Sequence, residues 1–69
     1  MANDIGANAA KRIALDGYQN LLGQQPRNVT VRKQGYTYIV EWHVGGDITP
    51  IKYHQCRIDS HDGTVKRIQ

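Results

Sequence analysis

Sixty-nine residues leave room for one domain, and a single core of this size supplies no more than about 3–5 kcal/mol of net stability without a staple. Cys56 is the only cysteine, which excludes an intrachain disulfide and leaves self-association, as a homodimer, the simplest source of further burial. Lysine and arginine outnumber aspartate and glutamate by nine to six, a formal charge of +3 that mildly favours anionic partners. No apolar run approaches the roughly 18 residues of a membrane span, and Met1-Ala2-Asn3-Asp4 lacks the basic and apolar regions of a signal peptide, so a cytoplasmic location without membrane attachment is expected.

From Asp4 to Leu22 the apolar residues Ile5, Ala9, Ile13 and Leu21 follow an i, i+4 ladder, with Ala10, Ala14, Tyr18 and Leu22 on the adjoining row. That spacing predicts an amphipathic helix. Asn3 or Asp4 is expected to cap it, Arg12 and Asp16 to form an i, i+4 pair, and Gly23 to stop it. Gly17 stands on the apolar ladder and predicts a close approach of the sheet. Gln24-Gln25-Pro26-Arg27 reads as the crossover to a first strand carrying Val29 and Val31.

The strongest signal lies from Tyr36 to Val44, where Tyr36, Tyr38, Val40, Trp42 and Val44 alternate with Thr37, Ile39, Glu41 and His43. Strict period two marks a half-buried strand and the spine of the core. A two-residue turn at Gln34-Gly35 would set Val31 opposite Tyr38 and Val29 opposite Val40. A second at Gly45-Gly46 would set Val44 opposite Asp47, Trp42 opposite Thr49, Val40 opposite Ile51, Tyr38 opposite Tyr53 and Tyr36 opposite Gln55. In that register Cys56 and Ile58 fall on the wrong face. Either a bulge near His54-Gln55 returns them to the core, or a straight strand leaves them with Ile39 and Ile48 in a second apolar patch suited to a dimer or partner. Asp59-Ser60-His61-Asp62-Gly63 is turn-forming, and Thr64 to Ile68 resumes as a short basic edge strand. The expected fold is α+β, an N-terminal helix on a four-stranded antiparallel meander, α-β-β-β-β.

Site chemistry is sparse. His54-x-Cys56 lacks the second ligand pair of a structural zinc site, so no metal or other cofactor is expected, and Cys56 reads as a small buried apolar residue. One small core offers little concave surface for a substrate, which argues against an enzyme. Asp59 and Asp62 flank a turn, where side-chain bonding to the backbone accounts for them. Asn28-Val29-Thr30 matches a glycosylation acceptor, coincidental without a secretory signal.

Tyr53-His54-Gln55-Cys56-Arg57-Ile58-Asp59 followed by Asp62-Gly63-Thr64-Val65 resembles the closing hairpin of PepSY-type domains. The resemblance covers about a dozen residues in pattern and Ala9 to Val44 in layout. It implies a secreted or membrane-attached relative that modulates peptidases, which the start of this chain does not match.

The resulting expectation is a non-enzymatic binding or regulatory module that engages a protein through its sheet edge or helix-free face, with Arg32, Lys33, Lys52, His54 and Arg57 setting preference. The alternative is nucleic acid held by the basic sheet face, with Arg32, Lys52 and Lys66 pointing away from the helix. An ordinary solvated face is preferred to that alternative, since the expected register exposes no aromatic pair for stacking bases and sets Glu41 diagonal to Lys52.

Overall fold

A computed structural model describes residues 3–22, 25–46 and 48–69, with the backbone alone for 18–22. One helix, α1 (Ala7–Leu22), precedes four strands, β1 (Arg27–Gln34), β2 (Thr37–Val44), β3 (Lys52–Asp59) and β4 (Val65–Ile68). The strands form one antiparallel sheet in sequence order, so the expected α-β-β-β-β meander is the observed fold. No helix among the described residues is long and apolar enough to cross a membrane.

The helix starts later than its apolar ladder suggests, because Gly6 takes a left-handed φ of 86° and its carbonyl accepts the first helical bond from Ala10 N at 3.1 Å. Asp4 lies ahead of that turn, and its Oδ1 accepts from Gly6 N at 2.7 Å. Among the described helix side chains Ala10 and Ala14 are the buried ones, and their small size lets the helix lie close to the sheet. The close approach is at Gly63, not Gly17. A Cβ on Gly63 would stand 3.0 Å from Ile13 Cδ1, whereas Gly17 is exposed and has nothing within 4 Å. The expected stop at Gly23, the crossover residue Gln24, Asp47, and the side chains of Tyr18, Leu21 and Leu22 lie outside the described residues.

Both hairpins depart from the expected registers. The first reverses at Gly35-Tyr36, pairing Gln34 with Thr37 and Val31 with Val40. A primed turn wants positive φ at its first central position, and Gly35 supplies 61° where Gln34 would be strained. The slip is two residues, so each side chain keeps its face. Near the far end of β1, four residues, Arg27 to Thr30, span three of β2, and Asn28 absorbs the bulge at a φ of 53°.

The second slip has larger consequences. No tight turn forms at Gly45-Gly46; a longer connection runs to Ile51, with Gly46 N donating to Thr49 O at 2.9 Å. Val44 pairs with Lys52, Trp42 with His54, Val40 with Cys56 and Tyr38 with Ile58. The displacement from the expected register is an odd number of residues, so β3 shows the opposite face. Cys56 and Ile58 enter the core on a straight strand, replacing both the expected bulge and the expected second patch, and Ile51 and Tyr53 leave it. Pro50 supplies the physical reason: in the tight-turn register it would enter a central strand without a donor N–H, whereas here it stays in the connection.

The core lies between the helix and one sheet face. Tyr38, Val40, Trp42, Val44, Cys56 and Ile58 are buried with Ala10 and Ala14, and Ile5, Ile13, Leu15, Val29 and Val31 border them. Tyr36 and Tyr53, expected inside, are exposed. Ile39 is buried on the other face, where its cross-strand partners are Arg32 and Arg57. Long basic side chains cover apolar surface with their methylene stems while the charge stays in water.

Candidate partner-binding face

Pairing residues across antiparallel strands share a face, so the registers sort every strand residue to the helix side or the free side. Three free-side rows are formed in full. His43 lies between Arg27 and Tyr53; Glu41 lies between Thr30 and Gln55; Ile39 lies between Arg32 and Arg57, and Arg57 pairs in turn with Arg67. Beyond them, Thr37 pairs with Gln34 and Asp59.

Of the five residues expected to bind a partner, the structure places Arg32 and Arg57 on this face. Lys33, Lys52 and His54 are on the helix side. Lys33 pairs with Tyr38, its ammonium 5.6 Å from the ring centre, and forms an ion pair with Asp4. Lys52 is exposed opposite Val44, not pointing away from the helix as expected. His54 stacks on Trp42 with ring centres 6.0 Å apart, and its Nδ1 is 3.0 Å from Gln69 O. The structure adds Tyr53, Gln55 and Gln69 to this face; the tight-turn register sets Tyr53 in the core, whereas its partner in the structure is His43 on the free side.

The basic groups of the face differ in their partners. Arg32 Nε is 3.4 Å from Glu41 Oε1. Lys66 Nζ is 3.7 Å from Asp59 Oδ2 and donates to Thr37 Oγ1 at 2.9 Å. Arg57 and Arg67, directly opposed on adjacent strands, have neutral partners instead. Arg57 Nε donates to Gln55 Oε1 at 3.3 Å, and Gln69, with its amide oxygen turned towards Arg67, accepts from Nε at 2.9 Å and Nη2 at 2.8 Å. Gln55 and Gln69 are themselves tied by backbone bonds of 3.2 and 2.8 Å.

Beside the first row the sheet end forms a groove of about 520 Å³, walled by Thr30, Glu41, His43 and Tyr53 of the free side, by Ile51, and by Trp42 and His54 of the helix side. Tyr53 is 79% exposed, its ring centre 5.9 Å from that of His43, and Ile48 on the neighbouring connection is 99% exposed. The face thus combines arginine and tyrosine, residue types enriched among anchor contacts at protein interfaces, with exposed isoleucine beside them.

Elsewhere the chemistry is structural. Asp59 and Asp62 accept from His61 N at 2.8 Å and Thr64 N at 2.9 Å, as turn carboxylates do, and the bond from Thr64 holds the Asp62 carboxyl below its ordinary range. Burial pushes the Cys56 thiol pKa up, which disfavours the thiolate. Among the described residues no group of three or more His, Cys, Asp or Glu is placed to hold a metal ion. Compared with protein-family models, with curated proteins and with solved structures, the chain matches none.

Proposed function

We propose that the protein is a non-enzymatic binding module that engages another protein through the helix-free face of its sheet. The observation that carries this reading is the row Arg32–Ile39–Arg57–Arg67, beside a groove walled by Ile51 and Tyr53. Like charges directly opposed across strands cost stability, so the Arg57–Arg67 pair suits a partner that brings negative charge. The groove suits an apolar or aromatic anchor. The PepSY-like closing hairpin makes a peptidase one class of partner to test.

The test is recovery of a bound protein on immobilised wild type against variants whose fold is checked by circular dichroism. Tyr53→Ala and Arg57→Glu should lose the recovered protein, while Lys52→Glu, on the helix side, should retain it. Recovery unchanged by both face variants would count against this face.

A second reading has a specific observation in its favour. Tyr53 beside His43 on a basic face is the stacking surface that the tight-turn register lacked, and single-stranded nucleic acid uses such surfaces. Submicromolar oligonucleotide binding whose log affinity falls linearly with log salt would select it.

A further inference from the structure

We infer that the Arg57–Arg67 pair is a phosphate site, and that the partner segment it receives carries a phosphomonoester. The inference rests on the protein-binding reading above and names the group recognised there. Four basic groups cluster across this part of the sheet, but Arg32 and Lys66 are matched by Glu41 and Asp59. Among the described residues no carboxylate pairs with Arg57 or Arg67.

Two uncompensated guanidiniums on opposed residues have Cα atoms about 4.5–5.5 Å apart, close enough for both to reach one tetrahedral anion. Their Nε edges are held by Gln55 and Gln69, neutral acceptors that orient the planes without cancelling the charge. A phosphomonoester carries about −1.5 to −2 at neutral pH and matches the two positive charges, whereas a nucleic-acid diester carries one and a carboxylate one. Guanidinium planes also suit phosphate better than ammonium groups do, because they donate in pairs.

The groove fixes how the rest of the segment lies. Tyr53 is four residues from Arg57 along β3, about 13 Å at 3.3 Å per residue, so an extended segment places its anchor about four residues from the phosphorylated one.

The experiment uses fluorescein-labelled peptide pools with a central phosphoserine, phosphothreonine or phosphotyrosine in random flanks, the same pools unphosphorylated, and an oligothymidine. Fluorescence anisotropy reads their affinities for the full chain. At least one phosphorylated pool should bind about tenfold more tightly than its unphosphorylated twin, and Arg57→Gln/Arg67→Gln should erase that difference. Tyr53→Ala should weaken both pools by a similar factor. Equal binding of the twins, or a preference that survives the double variant, overturns the phosphate site. If a protein recovered by wild type is still lost with Tyr53→Ala, the interface reading stands without it. Oligothymidine binding tighter than any phosphopeptide overturns both in favour of nucleic acid.

Discussion

Asp4 concentrates more interactions than any other single carboxylate described. It accepts from Gly6 N, from Tyr38 Oη at 2.6 Å and from Lys33, so one side chain fixes the helix start to β1 and β2. The Lys33 ammonium, then the Tyr38 hydroxyl, hold its pKa down at about 2 against an ordinary 3.8. A depressed carboxylate adds stability above its unfolded value and loses it as pH falls through the folded one. The clasp should therefore persist at neutral pH and release between about pH 4 and pH 2, followed by the Ile5 and Gly6 amide resonances; no change in that window would show that Asp4 holds nothing. Tyr38 has its pKa raised, first by the bond to Asp4, so Asp4→Asn should move the phenol titration down towards the ordinary tyrosine range, readable by ultraviolet absorbance. Gly63 is the second residue on which much depends. Gly63→Ala must take a φ of 77° with its Cβ 3.0 Å from Ile13 Cδ1, and should cost about 1–3 kcal/mol in chemical denaturation. Gly63 was legible as a turn residue, but its role against the helix was not, since spacing alone cannot say which glycine meets a neighbour.

Among the elements, β2 was the most legible, because Val40, Trp42 and Val44 keep strict alternation and all three are buried. β3 was legible as a strand but not as to face. Its register was drawn from the Gly45-Gly46 pair, which instead begins a connection in which Gly45 φ is 83° and a Cβ there would lie 2.3 Å from Pro50 O. Pro50 was the available signal, since a central strand rejects it. Misplacing that one turn hid Tyr53 and misassigned Lys52, which is why the candidate site was only half visible. At the β3–β4 pairing, function and stability pull in opposite directions. Arg67→Glu replaces an opposed like-charge pair with an attractive one and should raise stability by about 0.2–1 kcal/mol in denaturant titration while weakening anion binding. A variant that loses both would place the pair in the fold rather than in recognition.

The whole molecule is elongated, with principal extents of 48 × 20 × 17 Å, and its single core is confined between one helix and one sheet face. That shape leaves a sheet face and both edges, β1 and β4, open to solvent. Composition made a small basic domain legible, yet not where its charge collects, because which lysines and arginines share a face depends on turn positions. With so thin a core, deleting one buried side chain should be felt globally: Ile58→Ala should cost about 2–5 kcal/mol, a large part of the stability such a domain can hold. Cys56 is fully buried in that same core and reports on it. Its reaction with a thiol reagent should speed up in Ile58→Ala in proportion to the open fraction; a fast wild-type reaction at neutral pH would contradict the packing.

Ile39 lies on the face away from the helix, with a long arginine beside it on each neighbouring strand, so each of those side chains is a roof as well as a charge. Arg57→Met keeps the hydrocarbon cover and removes the positive group, whereas Arg57→Ala strips both and wets the isoleucine beneath. The gap in melting temperature between those two variants measures how far the outer layer is held by grease rather than by ions.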